Sequence, residues 1–374
     1  MAIPGLRQSI RNIPPYVPGK AIKEAVRELG LTRFVKLASN ESVAGPSPLA
    51  VEAIRRNLED IHRYPEDSSH DLKEALARKH GVRPGNILLG TGADEVLLLL
   101  GQLFLEPGDE CLYPYPSFSL YRKSAQVMGG VPVESPLREE RIDTEELLRR
   151  VTPRTKLVFL CNPNNPTGHL VPGDEVLSFL QRLPGHVFPV IDEAYAEFAD
   201  DPDFRDAIGM FRQGQQLAAI RTFSKIYGIA GLRVGYAVVP EELSVTADGI
   251  RNSFNINSLA QAAALAALED HAHVQRTREA TFAGRRQLTE GLRALGLKPI
   301  PSQTNFVCVG IRRDAQELFQ RLLRRGLIIR PLAGFSLPQH IRITVGTRAE
   351  NSEVLAALAE ELAVGGSRPP HAQG

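Results

Sequence analysis

Between about residues 47 and 240, short runs rich in Val, Ile and Leu alternate with amphipathic stretches, and few folds accept that rhythm. The runs at 86–90, 109–113, 130–134, 156–161, 187–191, 217–222 and 233–239 have strand length. Stretches at 70–80, 93–104, 117–128, 143–150, 173–182 and 203–213 between them read as helices, and Asp143 with Glu146 three residues on is a helix-start signal. Mostly apolar strands separated by helices predict an α/β fold, a largely parallel sheet covered by helices on both faces.

After Pro240 the texture changes. Residues 257–296 are helical in character, and a smaller α/β pattern follows: strand 304–310, helix 314–325, strands 327–330 and 340–345, helix 349–363. We therefore expect an N-terminal arm at 1–45 that serves the small domain and the substrate site, a large domain at 46–255, connecting helices at 256–296, a small C-terminal domain at 297–365 and a tail at 366–374. Lys plus Arg number 44 against 43 for Asp plus Glu, so bulk charge calls for neither nucleic acid nor an acidic membrane. The three cysteines, Cys111, Cys161 and Cys308, are far apart and form no metal-ligand spacing, which reads as reduced core thiols and no metal site. The longest apolar run, Val96 to Leu105, is too short to cross a bilayer, and the first residues lack a signal-peptide core. A cytoplasmic protein is expected.

Four segments carry chemistry. Gly90-Thr91-Gly92-Ala93-Asp94-Glu95 ends a strand and opens a helix, where free N–H groups can seat an anion, although a plain strand-to-helix turn reads the same way. Cys161 to Gly168 (CNPNNPTG) is a stiff Asn/Pro loop at a strand's C-terminal end, the usual place for ligands in such sheets. Asp192 ends the strand Val190-Ile191, with Tyr195 three residues on; such an acid is either a helix cap or a buried charge awaiting a cation. Last, Lys225 follows Thr222 and Ser224 and precedes Arg233 in a glycine-punctuated connection, an unusual place for an otherwise solvent-seeking side chain.

In this order the four segments resemble the fold-type-I, pyridoxal 5′-phosphate-dependent aminotransferases, from about residue 15 to 363. Within them the chain is most similar to the histidinol-phosphate aminotransferases, through Pro15-Tyr16, LASNESVAGPSP (37–48), RYPE (63–66), SQTNFV (302–307) and IRITVG (341–346). The resemblance implies a large domain with a mostly parallel sheet plus a smaller C-terminal α/β domain, and it implies roles. Lys225 captures the cofactor aldehyde and, when released, moves the proton as general base and acid. Asp192 pairs with the pyridine nitrogen; Asn165 and Tyr195 hydrogen-bond the ring oxygen; Phe118 stacks on the ring, standing where a tyrosine is common. Gly92, Ala93, Asp94, Thr222, Ser224 and Arg233 hold the cofactor phosphate, helped by Tyr64 from a neighbouring subunit in a homodimer with shared sites. Tyr16, Asn165, Arg330 and Arg342 bind the substrate, Arg342 gripping its acidic end with Arg330 and Tyr16 as companions. The implied reaction is transamination between L-histidinol phosphate and 2-oxoglutarate, in histidine biosynthesis. An aromatic amino acid aminotransferase is the nearest alternative, a threonine-phosphate decarboxylase a further one, and a non-catalytic regulatory domain the third, disfavoured because Lys225 and Asp192 are both present.

Overall fold

The computed structural model describes residues 5–11, 13–15 and 19–364. After a short strand β1 (Val35–Lys36), seven strands build the main sheet: β2 (Ile87–Gly90), β3 (Glu110–Tyr115), β4 (Val131–Pro136), β5 (Thr155–Cys161), β6 (Phe188–Asp192), β7 (Ala218–Thr222) and β8 (Gly235–Val238). Their order is β2-β8-β7-β6-β5-β3-β4. The pairs from β4 to β7 are parallel, whereas β8 is antiparallel to both β7 and β2.

Alternation along each strand supplies two cores, one per face. Val158, Leu160 and Ile191 enter one; Leu157, Phe159 and Val190 enter the other. Helices cover both faces, which is why these strands read as nearly continuous apolar runs. The helix Thr144–Arg150 starts where the Asp143 carboxylate accepts the Glu146 N–H at 2.9 Å. Helix 117–128 of the sequence reading begins only at Leu120, and 203–213 contracts to Ala207–Arg212, capped by Asp206.

The C-terminal part carries β9 (Lys298–Pro299), β10 (Phe306–Gly310), β11 (Leu327–Ile328), β12 (Arg330–Leu332) and β13 (Leu337–Thr344). Four of these form an antiparallel sheet ordered β12-β13-β10-β9. The single strand expected at 327–330 is instead two: β11 leaves this sheet to pair in parallel with β1, burying Leu327 and Ile328 beside Val35. The N-terminal segment also forms a helix that the sequence reading left out, Ile22–Leu29, ended by Gly30 in the left-handed region. Ala25, Val35 and Leu37 then share a core with Leu288, Val307, Val309, Ile341 and Ile343.

The long helix His271–Ala294 runs between the two parts. Its buried Arg285 donates to the carbonyls of Phe198 (2.9 Å) and Thr304 (3.1 Å) and to Asp200 (2.5 Å), tying the main sheet's loops to the approach to β10. Among the described residues, no helix is long and apolar enough to cross a membrane.

Candidate active site

A cavity of about 330 Å³ opens where the ends of β6 and β7, the start of the helix Ala93–Phe104 and strands β12 and β13 converge. Lys225, Asp192, Tyr195, Asn165, Phe118, Thr222, Ser224, Ala93, Asp94, Arg233, Arg330 and Arg342 all line it. Tyr64 does not: it is 83% exposed and stacks on Phe254, ring centroids 4.7 Å apart. Tyr16 lies outside the described residues.

Lys225 leaves the end of β7 with its amine 3.4 Å from the Ser39 carbonyl, to which it donates. Loss of water around the amine, and then the nearby cations Arg342 and Arg233, bring its pKa down to about 8. An amine so placed is partly unprotonated near neutral pH and can act as nucleophile or base.

Asp192 is the last residue of β6 and is 3% exposed. One carboxylate oxygen accepts from the Tyr121 hydroxyl at 2.7 Å, the other from the Ala194 N–H at 3.1 Å. Burial raises its pKa above the usual carboxylate range, and those two donors oppose the rise. A buried acid this well held is suited to a cationic or N–H-bearing ligand rather than to solvent.

The same cavity contains a candidate anion seat. The helix Ala93–Phe104 starts at Gly92, φ 76°, with no side chain capping it, so its first N–H groups are open to a ligand. Arg233 completes the seat: its guanidinium donates to the Ser224 hydroxyl at 3.2 Å and lies 3.6 Å from Asp94. The seat depends on Gly235 beneath it, since a Cβ there would come within 2.2 Å of the Ala93 nitrogen.

The Asn/Pro loop stands on the next side, with both Asn162-Pro163 and Asn165-Pro166 cis. Asn162 braces it through two bonds with Val171, and Asn164 through Ser117 and Thr167. Asn165 accepts from Arg342. Arg342, 6% exposed, also donates to the Ala38 carbonyl at 3.0 Å and lies over the Phe306 ring. Its register partner across the sheet is Arg330, so two guanidinium-bearing residues share one rim of the cavity. Tyr195, 4% exposed, accepts from the Asn40 side-chain amide at 2.8 Å, and burial pushes its phenol well up.

Residues 32–358 match the family described as aminotransferase class I and II. The chain belongs to the class I and II aminotransferases. It is 44% identical to the histidinol-phosphate aminotransferase of Moorella thermoacetica, over 96% of this chain and 94% of that one. It is 45% identical to histidinol-phosphate aminotransferase 2 of Methylococcus capsulatus, over 96% and 97%. The crystal structure of the Sinorhizobium meliloti histidinol-phosphate aminotransferase in complex with pyridoxal 5′-phosphate superposes with a TM-score of 0.89 at 32% identity, covering 97% of this chain and 99% of that one. The Thermus thermophilus aspartate aminotransferase with maleate gives 0.84 at 26%, covering 96% and 100%.

Two residues that hold side chains of this pocket, Tyr121 behind Asp192 and Asn40 beside Tyr195, are not legible as such in the sequence. Tyr121 lies three residues after Phe118 in the segment Pro116-Ser117-Phe118-Ser119-Leu120-Tyr121, and that spacing is the available signal. Asn40 lies in the LASNESV segment, but nothing local to it points 155 residues ahead to Tyr195.

Proposed function

We propose that this chain transfers the amino group of L-histidinol phosphate to 2-oxoglutarate, forming imidazole acetol phosphate and glutamate in histidine biosynthesis, with pyridoxal 5′-phosphate as cofactor. The observation that carries the reading is the pairing of Arg330 with Arg342 on the rim of a cavity that holds an amine of lowered pKa. A phosphate accepts more donors than a carboxylate, so two arginines at the substrate's acidic end fit a phosphorylated amine. The relatives from Moorella thermoacetica, Methylococcus capsulatus and Sinorhizobium meliloti carry that activity in their names.

The donor set fits the cofactor: an anion seat, a buried acid and a nucleophilic amine line one cavity. Gly92, Ala93 and Asp94 N–H groups with Thr222, Ser224 and Arg233 would hold its phosphate, Asp192 its ring nitrogen, Asn165 and Tyr195 its ring oxygen, and Phe118 one ring face. When bound, the cofactor supplies an electron sink that acidifies the hydrogen on the substrate's amine-bearing carbon. Lys225 Nζ takes up that proton and returns it, as general base and then acid. Arg342 exchanges its bonds with Asn165 and Ala38 for the incoming anion, with Arg330 as its neighbour on the rim and Tyr16 as a further proposed donor. 2-Oxoglutarate uses the same rim in the second half of the cycle, a carboxylate standing in for the phosphate, and leaves as glutamate.

The arrangement is completed, on this reading, in a cytoplasmic homodimer, where the partner subunit's Tyr64 reaches the cofactor phosphate. Its exposure in one chain is consistent with that place. The test is a steady-state comparison of kcat/KM for histidinol phosphate, phenylalanine and tyrosine with 2-oxoglutarate. Preference for histidinol phosphate supports the assignment; a tenfold preference for phenylalanine overturns it in favour of an aromatic aminotransferase. Carbon dioxide release without any oxo-acid requirement overturns it in favour of a decarboxylase.

A further inference from the structure

Asp192 is held by one side chain whose own position is fixed on every side. Tyr121 is fully buried. Its ring stacks on Phe159 (4.8 Å, 9°), meets Phe118 edge-on (5.9 Å, 83°) and leans on Tyr113 (6.1 Å, 58°). Ring and hydroxyl therefore have little freedom, and the hydroxyl ends 2.7 Å from Asp192. Tyr121 sits on the helix Leu120–Met128, where Ser124 donates to the Leu97 carbonyl at 2.9 Å. That carbonyl belongs to the helix that begins at the anion seat. One short segment thus touches Phe118, Asp192 and the helix of the phosphate seat.

We propose that Tyr121 is a positioning residue that keeps Asp192 ionised and aimed at the heterocycle, and so keeps the proton on the ring nitrogen; this rests on the cofactor reading above. A hydroxyl donating to a carboxylate stabilises the charged form. The Ala194 N–H occupies the other oxygen, so both donors restrain the group while its remaining lone pairs are left for the ligand. Without the Tyr121 hydroxyl, the carboxylate draws the shared proton toward itself and the ring nitrogen loses positive charge. Phe118, held edge-on by the same ring, stays in place if the ring is preserved.

The experiment compares wild type, Tyr121→Phe and Tyr113→Phe, each loaded with pyridoxal 5′-phosphate enriched in ¹⁵N at the ring. Tyr113 is a control: its buried ring also touches Tyr121, but its hydroxyl donates to Glu134 at 3.1 Å, away from Asp192. We expect the Tyr121→Phe nitrogen resonance to move toward the unprotonated value, and kcat to fall ~10- to 100-fold, the size of one charged hydrogen bond. KM for the amino donor stays within about threefold, since the substrate rim is untouched. Tyr113→Phe keeps the wild-type resonance. A Tyr121→Phe resonance like wild type overturns the proposal, as does an equal displacement in both variants, which would mean general loosening. A wild-type enzyme whose ring nitrogen carries no proton instead overturns the role given to Asp192, a separate failure visible before any variant is made.

Discussion

Replacing Gly235 by alanine tests how the anion seat is built. Gly235 opens β8 directly beneath the turn into the helix Ala93–Phe104. An added Cβ would lie 2.2 Å from the Ala93 nitrogen and 2.5 Å from the Gly92 carbonyl carbon, both backbone atoms that no rotamer change can move. Ordinary contact begins near 3.4 Å, so the turn must withdraw by about 1 Å. An N–H donor that withdraws that far from an anion passes the limit of a useful hydrogen bond. Losing one charged bond of ~1.5–3 kcal/mol lowers affinity for pyridoxal 5′-phosphate by about 10- to 100-fold. Titration of the apoenzyme with cofactor, followed by visible absorption, reads this directly. Inorganic phosphate added to the apoenzyme should also compete less well in the variant. The strand itself survives, because alanine is tolerated at its φ. An alanine variant that binds the cofactor within about threefold of wild type would refute the idea that the seat is set by this close approach.

Two further outcomes follow from buried charges. Arg221, 8% exposed, donates to Glu193 at 2.9 Å and to Glu197 at 3.2 Å. Removing it in Arg221→Met strands the 1% exposed Glu193 and should cost about 3–5 kcal/mol, or roughly 4–6 °C in the unfolding midpoint of a chain this size. Burial already pushes the Glu193 carboxyl up to about 7 against Arg221's pull, and without the arginine it rises further. An acid whose folded pKa exceeds its unfolded one is stabilised by its proton, so the variant's deficit should be smaller at pH 5.5 than at pH 8 in fluorimetric melts; an equal deficit at both would tell against this account. Arg342→Gln removes the cation that lowers Lys225 most, so the amine's pKa should climb from about 8 toward its ordinary value. The pH dependence of acylation of Lys225 in the apoenzyme, located by peptide mass, measures that climb, and an unchanged midpoint would assign the depression to burial alone.

Local features of the chain reveal elements and loops more readily than they reveal partners. The runs that become β2 to β8 are legible because a doubly covered strand needs apolar residues on both faces, and Lys225, Asp192 and Asn165 stand out because they end or follow such strands. Contacts that join distant segments leave no local trace. Tyr121 reaches Asp192 across 71 residues, and Asn40 reaches Tyr195 across 155. The need for glycine at 235 is set by a turn more than a hundred residues earlier. The break between β11 and β12 was hidden because Leu327 to Ile329 are all apolar, and only the partner strand β1 decides where the first two go. The helix Ile22–Leu29 is obscured in the sequence by the prolines and glycine that precede it.

The direction of β8 has a consequence for how this chemistry can vary. Because that strand returns alongside β7, Thr222 and Gly235 are register partners, and everything from Ser224 to Arg233 is one loop closed at its base. Lys225, the proposed nucleophile, and Arg233, the proposed cation of the anion seat, are therefore spaced by backbone length as well as by folding. Inserting or deleting a residue inside that closed span would shift one against the other, while length changes in the connections on the far edge of the sheet would leave both untouched.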